Sequence, residues 1–152
     1  MNAKIIEALN QARSRELTAI MTYMAQHYEL EDQDMGKLGD KMKEIGIQEM
    51  KHAEALAERI LWLGGEPVTK PDSDIKRGLE LAKMLELDIK LESGACAMYN
   101  ASIKLCAAEG DDVTKKVFEQ LLAEEEAHLD FFQNVQDHVE KMGAAYLATL
   151  VE

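Results

Sequence analysis

Cysteine, proline and aromatic residues are scarce in this sequence. Its 152 residues include 2 cysteines, 2 prolines and 1 tryptophan, and 5% of them are aromatic. The two cysteines, Cys96 and Cys106, lie ten residues apart in a stretch that is predicted to be helical, which separates them by ~15 Å at ~1.5 Å per residue. This distance is too long for a disulfide bond. We therefore expect reduced thiols and a cytoplasmic protein.

Basic residues are also in the minority. The chain has 17 Lys and Arg against 29 Asp and Glu, which gives a formal net charge of −12 and a pI near 4.8. Such an acidic surface repels nucleic acid and anionic membranes, and it attracts metal cations. The first 17 residues carry charges throughout instead of the apolar run of a secretory signal, and no apolar stretch is long enough to cross a membrane. We therefore expect neither nucleic acid nor a membrane as a partner.

Apolar residues recur every three or four positions and predict four long helices. The apolar stripes extend over residues 5–23, 38–63, 81–106 and 118–139. Gly64 and Gly65 end the second stripe, and Pro67 and Pro71 delay the next helix. No segment alternates in the manner of a β-strand. The chain is therefore predicted to be all-α, with residues 1–152 forming a single domain.

The predicted connections are uneven in length. Polar residues before Gly36, and Gly110 with its neighbours, give short turns after the first and third helices. The connection between the second and third helices is long, from about residue 65 to residue 74, and a cap for the third helix is expected at residues 72–74. Two helical hairpins that are joined by one long crossover are typical of ferritin-like four-helix bundles.

The segment after Gly143 is too apolar for a solvated terminus. Residues 144–151 are predicted to form a short fifth helix, whose apolar face must be buried. In a closed assembly, that face would pack against neighbouring subunits around a symmetry axis. The alternative is that the tail folds back onto its own bundle.

One fixed offset relates four pairs of polar residues. Two Glu-x-x-His motifs, which begin at Glu49 and Glu125, lie 76 residues apart, half of the chain length. The same offset separates two further pairs, Glu16 and Glu92, and Tyr23 and Tyr99. The sequence therefore contains an internal repeat, in which each half supplies one Glu and one Glu-x-x-His to a shared site.

These motifs predict a carboxylate-bridged two-metal centre. The candidate ligands, all on apolar stripes, are Glu16, Glu49, His52, Glu92, Glu125 and His128. Buried glutamates need a partner or a metal, and two divalent cations would cancel the charges of four carboxylates. The i, i+3 spacing places carboxylate and imidazole on one helix face. Mixed oxygen and nitrogen ligands suit Fe(II), Mn(II) or Zn(II).

Four segments around the candidate ligands are distinctive: ELTAI (16–20), EMKHAE (49–54), ERILWLGGEP (58–67) and EEEAHLDF (124–131). In these segments, and over nearly its whole length, the chain resembles a bacterioferritin. The resemblance implies a ferroxidase that oxidises Fe(II) with O2 or H2O2 and stores Fe(III) mineral in a hollow shell of 24 subunits built from dimers. The implied bridging ligands are Glu49 and Glu125. The implied terminal ligands are Glu16 and His52 for one iron, and Glu92 and His128 for the other.

The resemblance extends to cofactors and electron transfer. It implies haem b between two subunits, with Met50 of each as axial ligand. Met50 follows Glu49 directly and so points away from the metal face of the helix. Tyr23 matches a tyrosine that some bacterioferritins place beside the di-iron centre as an electron donor, but two other aromatic positions near such sites are here Leu56 and Phe131, which disfavours a longer radical relay. The candidate redox partner is a reductase of the ferredoxin type.

Three alternatives share some of these features. A small di-iron peroxidase or oxidase of the rubrerythrin kind usually adds a Cys-x-x-Cys module, which this chain lacks. A purely structural bundle would not bury four carboxylates. A DNA-protecting mini-ferritin takes its iron ligands from a subunit interface and commonly has a basic tail, whereas this chain carries a full ligand set and no such tail.

Several polar residues are assigned no role in the predicted centre. His27 and His138 match no site position and are expected to be surface or packing residues. Glu44 and Gln48 stand where some bacterioferritins carry His and Asp as inner-surface iron ligands, and Gln48 would be the poorer ligand. Glu124 is set aside because its neighbour Glu125 fits both the apolar stripe and the repeat.

Overall fold

The structure is a computed structural model that describes residues 2–151, and it contains four long helices followed by a short one. Their bounds are Ala3–Asp32 (α1), Gly36–Trp62 (α2), Leu81–Glu109 (α3), Asp112–Met142 (α4) and Ala144–Leu147 (α5), with a 3-10 turn at Ala148–Leu150. No strand occurs among the described residues. The prediction of an all-α bundle with a long crossover between the second and third helices and a short fifth helix is confirmed. Within residues 2–151, no helix combines the length and the apolarity that a membrane span requires.

The turn between α3 and α4 is set by a glycine and a capping aspartate. Gly110 ends α3 in the left-handed conformation, with φ of 74°. Asp111 then caps α4 by accepting a hydrogen bond from the Thr114 N–H at 2.9 Å. As a result α4 begins at Asp112, which is 76 residues after Gly36 at the start of α2. The offset of the internal repeat is therefore also the offset between the starts of α2 and α4.

The start of α3 differs from the prediction. The helix begins at Leu81 instead of just after residue 74, so the crossover covers residues 63–80. The reason is that α1 holds the crossover in a non-helical form through side chains. Ser14 Oγ donates to a crossover carbonyl oxygen at 2.6 Å, and Asp72, one of the expected caps, donates its N–H to Thr18 Oγ1 at 2.9 Å.

Two apolar clusters fill the bundle, and every long helix contributes to both. The first cluster includes Ile5, Leu9, Leu56, Tyr99 and Phe118. The second includes Leu30, Leu38, Met42, Met84 and Phe132. Along each long helix, the buried candidate ligands lie between the residues of one cluster and those of the other. A charged layer is therefore enclosed between two apolar ones.

The C-terminal tail packs in part on its own bundle. Leu150 is buried within the second apolar cluster, and the ring of Tyr146 stacks on that of His138 with centroids 5.1 Å apart. Leu147 also packs against this cluster, whereas Val151 stays exposed. Part of the apolar face of the tail is thus buried on its own bundle, as in the alternative in which the tail folds back.

Candidate metal centre

Six ionisable side chains from four helices converge in the charged layer. Each is at most 5% exposed, which is uncommon for charged residues without a partner. They are Glu16 of α1, Glu49 and His52 of α2, Glu92 of α3, and Glu125 and His128 of α4. These are the six residues that the internal repeat singled out.

The six side chains form two overlapping sets of four. One set contains Glu16 and His52, the other contains Glu92 and His128, and Glu49 and Glu125 belong to both. Within each set, one ligand atom from every residue lies within 4.8 Å of the others. Two carboxylates shared between two such sets can bridge two cations, while each remaining Glu–His pair serves one of them.

The two histidines are related by a near-twofold arrangement. His52 Nδ1 lies 3.1 Å from Glu49 Oε1 and 3.3 Å from Glu125 Oε1, and His128 Nδ1 lies 3.3 Å and 3.1 Å from the same two atoms. The ring centroids are 6.1 Å apart and the ring planes differ by 21°. Both rings therefore present Nδ1 to the centre.

Two buried tyrosines hold the terminal glutamates from the opposite half of the repeat. Tyr23 OH donates to Glu92 Oε1 at 2.5 Å, and Tyr99 OH donates to Glu16 Oε1 at 2.6 Å. Burial raises the pKa of both phenols well above the usual range, so each hydroxyl keeps its proton and remains a donor. The offset of 76 pairs the two tyrosines in the sequence, but their crossed hydrogen bonds are visible only in the structure.

Several polar atoms of the centre have no hydrogen-bond partner within the described chain. They are Glu16 Oε2, both Oε atoms of Glu49, Glu92 Oε2, and Nδ1 and Nε2 of His52. Buried polar atoms are otherwise almost always paired. Carboxylate oxygens and imidazole nitrogens are suitable ligands for divalent iron, manganese or zinc. The residues present therefore fit a pair of such cations.

Crowding of the carboxylates changes their proton affinity. Burial, with the neighbouring carboxylates, raises the pKa of Glu49 and of Glu92 well above the usual range and that of Glu16 above its usual range. Burial also disfavours ionisation of Glu125, but the close approach of both imidazoles to its carboxylate outweighs burial and holds the pKa of Glu125 below its usual range. The metal-free centre therefore retains protons, and cations must displace them.

His52 is a further proton carrier in the metal-free centre. Burial lowers its pKa, but the nearby carboxylates of Glu125 and Glu16 raise the pKa to about 10. A cation that takes the place of this proton relieves the same carboxylates, so the metal and the proton compete for one site.

The outer nitrogens of the two histidines face residues for which the sequence predicted no role in the centre. His128 Nε2 lies 2.5 Å from Gln48 Oε1, and His52 Nε2 lies 3.6 Å from Glu124 Oε2. Gln48 and Glu124 are again 76 residues apart. The same offset that identified the ligands would therefore have identified these two positions.

The other positions considered in the sequence are not among the six side chains of the centre. Met50 is 51% exposed and shares the surface of α1 and α2 with the exposed Met21, Tyr28 and Ile47. His27 is buried, with Nδ1 2.6 Å from the Gly39 carbonyl oxygen, which is the expected packing role. The remaining positions are distributed as follows: His138 and Glu44 are exposed, Leu56 is buried, Phe131 is partly buried, and Cys96 and Cys106 are free thiols.

One further buried acid was on a predicted apolar stripe without an assigned role. Asp88 is 0% exposed and its Oδ1 accepts a hydrogen bond from Gln26 Nε2 at 2.7 Å. Asp88 Oδ2 and Gln26 Oε1 both lack a partner, and burial raises the pKa of Asp88 well above the usual range. A protonated Asp88 would donate to Gln26 Oε1 and complete a reciprocal pair.

We expect Asp88→Asn to stabilise the protein at alkaline pH. A raised pKa contributes stability that is lost as pH rises through the folded-state value, whereas the Asn amide keeps the reciprocal pair at every pH. Urea unfolding at pH 6 and pH 9 should show a gain at pH 9 of about 1 kcal/mol over the wild type and little gain at pH 6. Asp88→Leu, which leaves Gln26 unpaired, should lower the free energy of unfolding by about 1–3 kcal/mol at both pH values. A loss with Asp88→Asn at pH 9 would contradict the protonated pair.

Comparison with known sequences agrees with this geometry. A family model for the ferritin-like domain matches residues 6–142. The chain is 44% identical over 148 residues to the bacterioferritin of Desulfovibrio desulfuricans, covering 97% of this chain and 83% of that protein. It is 38% identical to a bacterioferritin of Brucella melitensis, covering 92% of this chain and 87% of that protein, and 37% identical to one of Rhodobacter capsulatus, covering 98% and 92%.

Comparison with solved structures gives the same result. A crystal structure of the D. desulfuricans bacterioferritin, which describes its diiron site in different catalytic states, matches this structure with a TM-score of 0.96. The sequences of the two chains are 44% identical, and the match covers 98% of this chain and 87% of that one.

Proposed function

Because the chain belongs to the bacterioferritins, we propose that it takes up Fe(II), oxidises it at the centre formed by the six buried side chains, and stores the Fe(III) product. Bacterioferritins are ferroxidases. One observation carries the proposal for this chain: two four-residue sets share Glu49 and Glu125, and the oxygens of Glu49 have no partner in the protein.

Each side chain has a separate task in this proposal. Glu49 and Glu125 bridge the two cations. Glu16 with His52 and Glu92 with His128 complete one position each. Iron bound there supplies the redox chemistry, in which Fe(II) is oxidised to Fe(III) by O2 or H2O2.

The protonated carboxyls, the two tyrosines and the apolar clusters each affect how the centre takes up cations. The protonated carboxyls release their protons as cations bind, so uptake is accompanied by proton release. Tyr23 and Tyr99 fix the terminal glutamates by hydrogen bonds, and the apolar clusters above and below limit the access of bulk water. Tyr23 is also the candidate electron donor, since its hydroxyl contacts the ligand Glu92 directly.

We further propose a homo-oligomer, namely a cytoplasmic shell of 24 subunits built from dimers, with a ferredoxin-type reductase as a partner for iron release. Support for a subunit contact comes from the exposed apolar side chains Met21, Tyr28, Ile47 and Met50 on α1 and α2. Several large apolar side chains exposed on two paired helices are expected at an interaction site.

Particle mass measured together with iron uptake tests this proposal. Aerobic addition of Fe(II) to the metal-free protein should yield Fe(III) that co-sediments with a large, hollow particle. Retention of only about two irons per chain on a particle of a few subunits would contradict storage. That result would favour the small rubrerythrin-like oxidase or peroxidase.

Haem b is proposed as a second cofactor at the dimer contact. The side chain of Met50 is half exposed, on an apolar surface and directed away from the metal centre, so two copies could present their sulfurs to one haem iron. Haem held there would supply a one-electron carrier.

We expect Met50→Leu to abolish the low-spin spectrum of bis-methionine haem and to leave Fe(II) oxidation within about 2-fold of the wild type. The reason is that the substitution removes the sulfur ligand but is remote from the six buried side chains. Met142→Leu is the matched control, because Met142 is also 51% exposed but lies at the end of α4. An unchanged haem spectrum in Met50→Leu would overturn the assignment.

A further inference from the structure

The two halves of the metal centre differ at the outer nitrogens of their histidines. His128 Nε2 is 2.5 Å from Gln48 Oε1, which is a short hydrogen-bond distance. His52 Nε2 has no hydrogen-bond partner, and the Glu124 carboxylate lies at 3.6 Å from it, beyond hydrogen-bond range. The near-twofold arrangement of the inner Nδ1 atoms is therefore not continued on the outside.

Gln48 and Glu124 are equivalent positions of the internal repeat. Each directly precedes a bridging glutamate, each is partly buried, and each faces the histidine of the opposite half. The residues at these positions are an uncharged amide in one half and a carboxylate in the other. The side chain of Glu124 is 45% exposed, so solvent screens its charge.

The amide determines which nitrogen of His128 is free to bind a cation. A histidine that binds metal through Nδ1 must carry its proton on Nε2, and that N–H needs an acceptor. Gln48 Oε1 provides the acceptor at the required distance. His52 has no protein acceptor at hydrogen-bond distance from its Nε2, so water must serve that nitrogen.

We propose that Gln48 is a positioning residue for His128, and that the contrast between Gln48 and Glu124 makes the two metal positions inequivalent. The position of Glu92 and His128 is pre-organised and fills first, whereas that of Glu16 and His52 fills second and exchanges its cation more readily. This inference rests on the proposed metal centre, and it adds an order of filling that the ligand set alone does not give.

Cobalt(II) binding to the metal-free assembled protein tests the order of filling. The wild type should bind two Co(II) per chain, and crystals with one equivalent should show anomalous density mainly beside His128. Gln48→Leu should weaken one of the two positions by about 10–100-fold and move the first Co(II) to the position beside His52. Gln48→Glu, which retains an oxygen acceptor, should restore the affinity of the position beside His128.

Glu124→Leu is the matched variant in the other half of the repeat. Because Glu124 makes no hydrogen bond with His52, both Co(II) affinities should stay within about 3-fold of the wild type, well below the effect of losing a bonded outer partner. Equal losses in Glu124→Leu and Gln48→Leu would overturn the inequivalence. The positioning role of Gln48 would be overturned if Gln48→Leu kept both Co(II) affinities of the wild type, or if its two affinities fell equally.

The same titration separates this inference from the proposed function. If the wild type binds two Co(II) at the six side chains, and Gln48→Leu binds both with the same affinities, only the inference about Gln48 fails. If the wild type binds no Co(II) there, the proposed metal centre fails and the inference fails with it.

Discussion

Replacing Glu49 or Glu125 with alanine will slow Fe(II) oxidation by at least about 100-fold, because removal of an outer partner of a ligand already costs 10–100-fold and these residues are the shared ligands themselves. Each variant deprives both four-residue sets of a carboxylate at once. Stopped-flow absorbance of the Fe(III) product measures the effect, and circular dichroism checks that the four helices remain folded.

Glu126→Ala is the control for charge and for position along α4. Glu126 directly follows Glu125 but is exposed and belongs to neither set. Its removal should leave the oxidation rate within about 2-fold of the wild type, as expected for a surface substitution. Oxidation at the wild-type rate in both Glu49→Ala and Glu125→Ala would eliminate this centre as the ferroxidase site.

The metal-free protein will lose stability as pH rises from about 5 to 9, and a divalent cation will reverse the loss. The folded-state pKa values of Glu16, Glu49 and Glu92 are raised, and that of His52 is raised to about 10. A group whose pKa is raised by folding contributes stability that is fully present below its unfolded-state pKa. This stability is lost as pH rises through its folded-state pKa. Glu125, whose pKa is depressed, acts in the opposite direction and only below its unfolded value.

Thermal unfolding with and without Co(II) or Zn(II) measures both effects. The increase in Tm caused by the cation should be larger at pH 8 than at pH 6, because fewer protons must then be displaced. Glu49→Gln should raise the metal-free Tm at pH 8 by about 2–4 °C, equivalent to about 1 kcal/mol, and should reduce the increase caused by the cation. Glu126→Gln should do neither. A metal-free Tm that rises steadily from pH 5 to 9 would contradict the protonated centre.

The sequence was sufficient to predict the residues that meet at the centre, because their roles depend on helical periodicity. Glu49 and His52 share a helix face through their i, i+3 spacing, and the offset of 76 identified the second copy. Fold class and the crossover follow from the same periodicity and from where glycine and proline interrupt it.

Features that depend on contacts between distant segments could not be read from periodicity. The late start of α3 depends on hydrogen bonds from α1, such as that between Asp72 and Thr18, which local capping preference does not include. The tail was apolar enough to require burial, but only packing could decide that Leu150 enters its own core. The offset of 76 pairs Gln48 with Glu124, but it does not show that Gln48 contacts His128, which lies 80 residues away in the sequence.

The crossed hydrogen bonds of Tyr23 and Tyr99 determine the smallest part of the chain that can form the metal centre. Each tyrosine lies in one helical hairpin and holds a glutamate of the other, so neither hairpin contains a supported half-site of its own. Two copies of a single hairpin, related by a rotation of half a turn, would reproduce every ligand and both crossed bonds. The chain thus has the layout of a symmetric homodimer whose two hairpins are joined by residues 63–80, so the two halves can carry different residues at equivalent positions such as Gln48 and Glu124.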